Sequence, residues 1–331
     1  METRTLGSLW PVSALTLGGG GLGQVWGETS REEAVATVRA AADAGITLYD
    51  AAPLYGRGEA EAVFGAAFEG RAPAGTRFTT KCFLGSPPAE DVYPKMEKSV
   101  LRSLETMKIE KVDLFFLHSN ICPDDYTYVR DTEMQQRFAT NWSLYQDHVV
   151  PAFEKLKQIG LIGDWGITGT GLPKSIMDAM RADVRPAVVQ AVTNLMDSAG
   201  NMKRFEEPPE PRNIVRTAVN NGVGVLGIRA VQAGALTSAL DREAAPEEKS
   251  DFKRAAPYRA LAAELGEDPA VLAHRYALAT EGVDTVILGV KNRAELDALV
   301  AGAAKGPLAP EVISQIDALR LNFQIPRMPL D

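Results

Sequence analysis

Apolar and polar positions follow one another along this chain in blocks that predict strands and helices in alternation. Continuous apolar runs such as residues 223–228 are typical of parallel strands that are buried on both faces. Strands are predicted at 15–18, 45–49, 77–82, 112–117, 162–168, 187–192, 223–228 and 284–288. Between them, helices are predicted at 31–44, 58–69, 89–108, 146–159, 173–181, 211–221, 257–280 and 291–302.

Eight strand-helix units in this length predict an α/β fold, a (β/α)8 TIM barrel that forms a single domain over residues 1–331. An N-terminal hairpin at 3–12 is expected to cap the barrel floor. Long polar connections at 119–145 and 229–256 follow strands on the rim that carries the strand ends, where long loops are usually functional.

The first predicted helix has clear signals at both ends. Ser30-Arg31-Glu32-Glu33 has the spacing of a capping box, and Gly45 follows as a stop.

Composition and charge remove several classes of function. The chain has 331 residues, 45% hydrophobic and 24% charged, with a net charge of -8. This charge argues against a nucleic-acid or anionic-membrane surface. No apolar run approaches the roughly 20 residues of a membrane span. The N-terminus lacks the features of a secretory signal, and the only cysteines are Cys82 and Cys122. We therefore expect a cytoplasmic protein without a disulfide framework. Its oligomeric state cannot be predicted.

Four residues at or near strand ends suggest a proton-transfer site. Asp50, Lys81 and His118 directly follow apolar runs, and Tyr55 lies in the loop after Asp50. Because parallel strands share one rim at their carboxyl ends, an acid, a phenol, an ammonium and an imidazole should converge there.

Such a group suits the reduction of a carbonyl by hydride transfer, in which the oxygen gains negative charge and needs a proton donor. A free phenol has a pKa near ~10, and a neighbouring ammonium is expected to lower it. Lys81 would lower the pKa of Tyr55, the general acid, while Asp50 keeps Lys81 charged. His118 would donate a hydrogen bond to the carbonyl oxygen.

Each of these residues also has a simpler interpretation. Asp50 and Lys81 could form an ordinary salt bridge, Tyr55 could be packing, and His118 could be a core histidine. The order of all four at consecutive strand ends favours the catalytic interpretation. No metal site is expected, because His148 and the other histidines lack metal-ligand spacing.

The glycine run at 18–23 could indicate a dinucleotide-binding Rossmann turn. Six residues separate its last glycine from the helix cap at Ser30, so the turn does not open the helix. A tight turn at the barrel rim is the preferred interpretation.

The segment Asp-Ala-Ala-Pro-Leu-Tyr-Gly at 50–56, with the spacing of the four strand-end residues, closely resembles the aldo-keto reductase superfamily. The resemblance covers roughly residues 12–302 and implies an NAD(P)-dependent oxidoreductase that interconverts an aldehyde or ketone and its alcohol. It implies nicotinamide contacts from Thr168, Gln190 and Asn194. Gly169 departs from the family pattern because it lacks an amide side chain.

The resemblance also implies cofactor contacts at the end of the seventh strand and on the loop 229–256 that follows it, the seventh loop. Ile228 stands where relatives have an aromatic residue that stacks on nicotinamide. Arg229 could reach the pyrophosphate or a substrate anion, or could be a plain surface residue. Ala230, Gly234 and Leu236 line the implied pyrophosphate channel, the last two through backbone donors.

The segment after the eighth strand resembles the one that grips the adenosine phosphate. It offers Gly289, Lys291, Asn292 and Arg293, at a helix N-terminus that favours anions. Glu295 stands where relatives often have arginine and would favour NAD(H). Family habit nevertheless favours NADP(H).

Gly20 is a further implied cofactor contact, while Trp26 and Trp142 could wall the substrate pocket beside Tyr55 and His118. The substrate is expected to be a small carbonyl compound or sugar. Three alternatives stay open: an aldose dehydrogenase that works in the oxidising direction, an aldolase with a Schiff base on Lys81, and a non-catalytic cofactor-binding regulatory subunit.

Overall fold

A computed structural model describes residues 1–128 and 132–322. Its centre is a closed barrel of eight parallel strands, each hydrogen-bonded to the next in chain order, with the eighth pairing with the first. The predicted (β/α)8 barrel is confirmed, and the Rossmann alternative is wrong. The barrel strands are Leu15–Gly18, Leu48–Asp50, Arg77–Cys82, Val112–Leu117, Ile162–Thr168, Val188–Val192, Gly224–Ile228 and Thr285–Leu288.

Helices surround this barrel. The α-helices are Gly19–Leu22, Arg31–Asp43, Glu59–Phe68, Val92–Met107, Thr132–Phe138, Trp142–Leu144, Val150–Gln158, Pro173–Arg181, Pro211–Asn220, Pro246–Arg254, Ala256–Glu264, Pro269–Leu278, Arg293–Ala304 and Pro310–Ala318. Short 3-10 turns lie at Tyr55–Gly58, Ala89–Asp91, Gly200–Met202 and Gln232–Gly234, and a π turn at Tyr145–Val149.

The helix predicted at 257–280 is in fact two helices. Gly266 adopts a left-handed φ of 67° and Asp268 caps a new helix that begins at Pro269. Proline is favoured in the first turn of a helix but interrupts its interior, so the prediction was wrong in joining the two segments.

Two predicted loops contain regular structure. Within 119–145, Asn120–Cys122 pairs in parallel with Ala139–Asn141. Within 229–256 lies the helix Pro246–Arg254. The helix Pro310–Ala318 lies beyond the last predicted one. Pro246–Arg254 and Pro310–Ala318 both begin with proline, a start signal that was present in the sequence.

The strand predicted at 45–49 begins later, at Leu48, because the preceding turn uses more residues. Gly45 has a φ of 83°, and the backbone N–H of Ile46 returns to the carbonyl oxygen of Ala41 at 3.0 Å. This left-handed turn ends the helix Arg31–Asp43 as predicted.

The predicted capping box is only half formed. Ser30 Oγ accepts a hydrogen bond from the backbone N–H of Glu33 at 3.1 Å. The Glu33 carboxylate does not return to Ser30; it binds Arg293 on another helix. An ion pair between two neighbouring helices therefore replaces the second capping bond.

The predicted hairpin is present, since Thr3–Thr5 pairs antiparallel with Pro11–Ser13. Below the strand ends, an apolar cluster fills the barrel interior: Leu6, Val12, Leu48, Leu114, Phe116, Val188 and Leu226. Asp284 accepts the backbone N–H groups of Gly7 and Val225 at 3.0 and 2.9 Å, which ties the hairpin to the floor. The closed floor leaves the opposite rim for a site.

The glycine run forms one helical turn, Gly19–Leu22, instead of the expected loop turn. A side chain at Gly21 would place its Cβ 2.1 Å from the carbonyl oxygen of Val290. Glycine is therefore needed here for close approach of two rim segments.

None of the helices in the described part of the chain combines the length and apolarity that a bilayer crossing requires.

Candidate active site

The barrel brings the four strand-end residues to one rim. Asp50 is the last residue of the second strand, Lys81 lies one residue before the end of the third, and His118 directly follows the fourth. Tyr55 opens the 3-10 turn after Asp50. The predicted convergence is therefore present in the structure.

Lys81 is buried and fully occupied. Its Nζ donates to Asp50 Oδ1 and Oδ2 at 2.8 and 2.7 Å and to the carbonyl oxygen of Ala51 at 2.7 Å. The side chains of Lys81 and Asp50 are 0% and 3% exposed. Burial opposes the charge on Lys81, but the pairing with Asp50 outweighs it and raises the pKa of Lys81.

A charged lysine with these three acceptors is a poor nucleophile. A Schiff base requires the neutral amine, and the contacts with Asp50 stabilise the ammonium instead. The contacts of Lys81 therefore argue against the aldolase alternative.

Asp50 is held by more than Lys81. Thr79 Oγ1 donates to Asp50 Oδ1 at 2.5 Å, and Gln190 Nε2 donates to the same oxygen at 2.6 Å. Sequence reasoning assigned no role to Thr79 and did not foresee that Gln190 would bind Asp50. The sixth strand thus reaches across the barrel to fix the carboxylate.

Tyr55 lies beside the ammonium, with Lys81 Nζ 4.8 Å from the centre of its ring. Burial raises the pKa of Tyr55, and the charge of Lys81, the next largest influence, lowers it only in part. The expected direction was therefore wrong: the net pKa is raised, because removing a phenolate from water outweighs the neighbouring charge. Tyr55 holds its proton across the neutral pH range.

The turn after Tyr55 is built from three consecutive left-handed residues. Gly56, Arg57 and Gly58 have φ angles of 62°, 58° and 97°. Arg57 in this conformation is strained, since L-residues other than glycine rarely adopt it.

His118 stands perpendicular to Tyr55, with ring centres 6.0 Å apart. Burial, aided by the charge of Lys81, lowers the pKa of His118 to about 3. The imidazole is therefore neutral above pH ~4, and one ring nitrogen carries a proton. Its Nδ1 atom is buried without a hydrogen-bond partner in the described chain. A neutral donor beside a phenol suits an oxygen atom of a substrate.

Sequence reasoning missed Phe83, two residues after Lys81. Its ring meets that of His118 at 6.1 Å and that of Phe138 at 5.0 Å between centres. Its position beyond the end of the third strand, on the rim, was the available signal. Phe83 gives the site an aromatic wall next to the imidazole.

The predicted nicotinamide contacts lie on neighbouring strands. Thr168 Oγ1 donates to the carbonyl oxygen of Leu117 at 3.2 Å, which leaves its lone pairs free to accept. Gln190 uses its amide N–H on Asp50, so its carbonyl oxygen can accept from a carboxamide. The Asn194 side chain donates to the carbonyl oxygen of Ser198 and accepts a hydrogen bond from the Ser198 N–H, so both ends of its amide bind the loop backbone. Thr168 and Gln190 fit the amide end of a nicotinamide, and their roles stay predictions.

Arg229 is not a surface residue. Its guanidinium pairs with Glu248 at 3.1 Å and donates to Gln232 Oε1 at 2.9 Å, and the Arg229 and Glu248 side chains are 6% and 3% exposed. Burial lowers the pKa of Arg229 against the opposing effect of Glu248. Contact with a pyrophosphate stays a prediction, and it requires Arg229 to share or leave Glu248.

The remaining residues of the seventh loop are placed as follows. Ile228 ends the seventh strand, and Ala230 and Leu236 are buried. The backbone N–H groups of Gly234 and Leu236 both donate to the carbonyl oxygen of Val231. Their predicted donation to a pyrophosphate therefore has no support from the structure.

The cations after the eighth strand are paired with carboxylates. Lys291 Nζ contacts Asp241 and also lies 3.4 Å from Glu295. Arg293 pairs with Glu33 at 2.9 Å. Asn292 is the cap of the helix Arg293–Ala304 and accepts the Glu295 N–H at 2.9 Å.

Trp26 lies on the rim against predicted cofactor residues. Its indole nitrogen is 2.7 Å from the position that a Cβ on Gly20 would take and 3.4 Å from that on Gly289. Both glycines therefore leave room for the indole. Trp142 contacts Tyr145, at 5.7 Å between ring centres, and packs against the main core. Its predicted place in the substrate wall is not supported by these contacts.

Comparison with known proteins agrees with this geometry. A model of the aldo/keto reductase family matches residues 14–321. Two solved structures share the fold: an aldo-keto reductase from Bacillus halodurans in its holo form, and the glycerol dehydrogenase from Gluconobacter oxydans. The first has a TM-score of 0.71 and 21% identity and covers 96% of both chains. The second has a TM-score of 0.68 and 23% identity and covers 96% of this chain and 94% of the other.

Three curated proteins resemble this chain over two thirds or more of its length, at low sequence identity. L-galactose dehydrogenase of Arabidopsis thaliana is 27% identical over 96% of this chain and 94% of its own. Aldo-keto reductase YhdN of Bacillus subtilis is 24% identical over 84% of this chain and 80% of its own. D-threo-aldose 1-dehydrogenase of a Pseudomonas species is 23% identical over 68% of each chain.

The pKa values predict a simple pH dependence. Because His118 is neutral above its pKa of about 3 and the pKa of Tyr55 is raised, carbonyl reduction should be flat between roughly pH 5 and 8. Alcohol oxidation needs the phenolate and should rise through alkaline pH. The measurement is kcat/KM against pH in both directions, with the exposed His148→Gln variant as control. A loss of reduction centred near the ordinary histidine pKa of ~6.5, absent from His118→Gln, would contradict this assignment.

Proposed function

The chain belongs to the aldo/keto reductase family, and from that premise we propose that it oxidises small aldoses at the anomeric carbon with NAD⁺, with Tyr55 as the general base. The wider activity, the NAD(P)-dependent interconversion of a carbonyl and its alcohol, follows from the family. The observation that supports the proposal best is the placement of Tyr55 between the buried ammonium of Lys81 and the neutral imidazole of His118.

A nicotinamide ring, when bound, takes up or supplies the hydride, so the protein has to manage only a proton and an oxygen atom. In oxidation, Tyr55 takes the proton from the hydroxyl on the reacting carbon. In reduction, Tyr55 returns that proton to the developing alkoxide. One residue serves both directions because its surroundings are the same in each.

Lys81 and Asp50 make this exchange possible. Lys81 stabilises the Tyr55 phenolate, which oxidation consumes and reduction forms, and Asp50 keeps Lys81 charged and in place. Thr79 and Gln190 keep Asp50 from turning away. The fixed charges need not reorganise during the reaction, which is the main source of electrostatic catalysis.

His118 orients the substrate oxygen. As a neutral imidazole it donates one hydrogen bond without competing with Tyr55 for the proton. A cation at this position would stand close to Lys81 and would be repelled by it.

Two observations favour a sugar. The curated relatives include an L-galactose dehydrogenase and a D-threo-aldose 1-dehydrogenase. Phe83 offers an aromatic ring beside His118. On the adjoining segment lie the hydroxyl of Ser119, which accepts two backbone N–H groups, and the amide of Asn120, which accepts a hydrogen bond from Thr170. An aromatic wall with polar neighbours suits a ring that has an apolar face and hydroxyl edges.

The charges at the adenosine end favour NAD(H) over the NADP(H) expected from family habit. Lys291 is held by Asp241 and Glu295, and Arg293 by Glu33. A 2′-phosphate would have to displace these carboxylates and approach Glu295, whereas a ribose hydroxyl can be accommodated by an acceptor.

We expect the Tyr55→Phe variant to lose turnover by roughly 10²–10⁴-fold, the usual contribution of a general acid-base group. Binding of NADH, followed by fluorescence, should be retained within a few-fold because the ring stays in place. The matched control is Tyr93→Phe, whose phenol contacts Glu97 on an outer helix. Oxidation of L-galactose and other aldoses by Tyr55→Phe at the wild-type rate would remove Tyr55 from the proposed role.

We expect kcat/KM for NAD⁺ to exceed that for NADP⁺ with an aldose as substrate. Replacing Glu33 by glutamine frees Arg293 from its ion pair and should shift the ratio toward NADP⁺. The exposed Glu90→Gln variant is the control, since it makes the same change in charge away from this segment. A wild-type preference for NADP⁺ would contradict the cofactor assignment.

A further inference from the structure

A cavity lies outside the four-residue site, beside the turn that carries Tyr55. Its volume is about 480 Å³, and it separates this turn from the helices Glu59–Phe68 and Val92–Met107. The lining residues are Pro53, Leu54, Gly56, Arg57, Gly58, Glu59, Glu61, Ala62, Arg102 and Thr106. The proposed catalytic residues do not line it.

Glu61 provides a carboxylate from the buried side of this cavity. The residue is only 2% exposed, and its hydrogen bond in the described chain comes from Thr80 Oγ1 at 2.6 Å. Buried carboxylates normally have a cation or several donors as partners. Glu61 has one neutral donor, and its remaining lone pairs can accept further donors.

Arg57 and Arg102 line the same cavity from its exposed side. Among residues 1–128 and 132–322, neither of them forms an ion pair. Glu59, the other carboxylate of the lining, pairs with Arg31 at 2.8 Å. On one side of the cavity are two guanidinium groups without an ion pair in the described chain. On the other side is the Glu61 carboxylate, which accepts one hydrogen bond there.

We propose that this cavity binds a polyhydroxylated carboxylate. The carboxylate of the ligand binds Arg57 and Arg102, because guanidinium groups recognise carboxylates through paired hydrogen bonds. The hydroxyl groups of the ligand donate to Glu61. A simple carboxylate lacks the second contact, and a neutral polyol lacks the first.

The product of the proposed reaction is a ligand of this class. Oxidation of an aldose at its anomeric carbon gives a lactone, and hydrolysis of the lactone by water gives an aldonate and a proton. This identification of the ligand rests on the proposed function, whereas the chemistry of the cavity does not. Leu54 and Gly56, which flank Tyr55, line the cavity, so a bound aldonate contacts the turn that holds the proposed general base.

Isothermal titration of the full-length protein with sodium gluconate, in the presence of saturating NADH, tests the site. Saturable binding is expected, with acetate and galactitol each binding more weakly. Arg102→Glu should weaken gluconate binding by about tenfold or more, as expected when a charge-assisted contact becomes a repulsion. Lys98→Glu, an exposed change of equal charge one turn away on the same helix, should leave it within about twofold.

A second variant tests the buried end of the cavity. Glu61→Gln keeps an acceptor for Thr80 and should weaken gluconate binding but not acetate binding. No saturable gluconate binding to the wild-type protein, or equal loss in Arg102→Glu and Lys98→Glu, would overturn the proposal.

The failure of this site and that of the proposed function can be told apart. Aldose oxidation without gluconate binding overturns only the second site. Gluconate binding that depends on Arg102, without aldose oxidation, supports the site and overturns the proposed reaction.

Discussion

The ion pair between Lys81 and Asp50 is the interaction on which the rest of the site depends. Two charges have been taken out of water, which costs several kcal/mol per ion unless other groups compensate. The carbonyl oxygen of Ala51, the hydroxyl of Thr79 and the amide of Gln190 supply that compensation. Removing either member of such a pair lowers the free energy of unfolding by about 3–5 kcal/mol. The barrel and the site therefore stabilise each other, because these partners come from the third and sixth strands and from the residue that directly follows the second.

Much of this fold could be predicted from the sequence because buried parallel strands are continuous apolar runs. The bounds of four barrel strands, including Arg77–Cys82 and Val112–Leu117, agree with prediction. The four residues of the site could be predicted for a related reason: once strands share an edge, the residues that end them become neighbours. The helix predicted at 257–280 was wrong since periodicity was given more weight than Gly266 and Pro269.

The partners of charged side chains could not be predicted, because they lie far apart in the chain. Arg293 pairs with Glu33 from the helix Arg31–Asp43, and Lys291 pairs with Asp241 from the loop after the seventh strand. These pairs are the reason for proposing NAD(H) in place of the NADP(H) that family habit favours. The direction of the Tyr55 pKa shift could not be predicted either. It depends on whether burial, which raises this pKa, outweighs the charge of Lys81, which lowers it.

The central claim, that Lys81 stabilises the Tyr55 phenolate, can be measured without turnover. Carbon-13 labelling of the tyrosine ring at the carbon that bears the hydroxyl lets the Tyr55 signal be titrated by NMR, with assignment by its loss in Tyr55→Phe. The pKa of Tyr55 should be higher in folded Lys81→Met than in the wild-type protein. An equal or lower pKa in that variant would contradict the account.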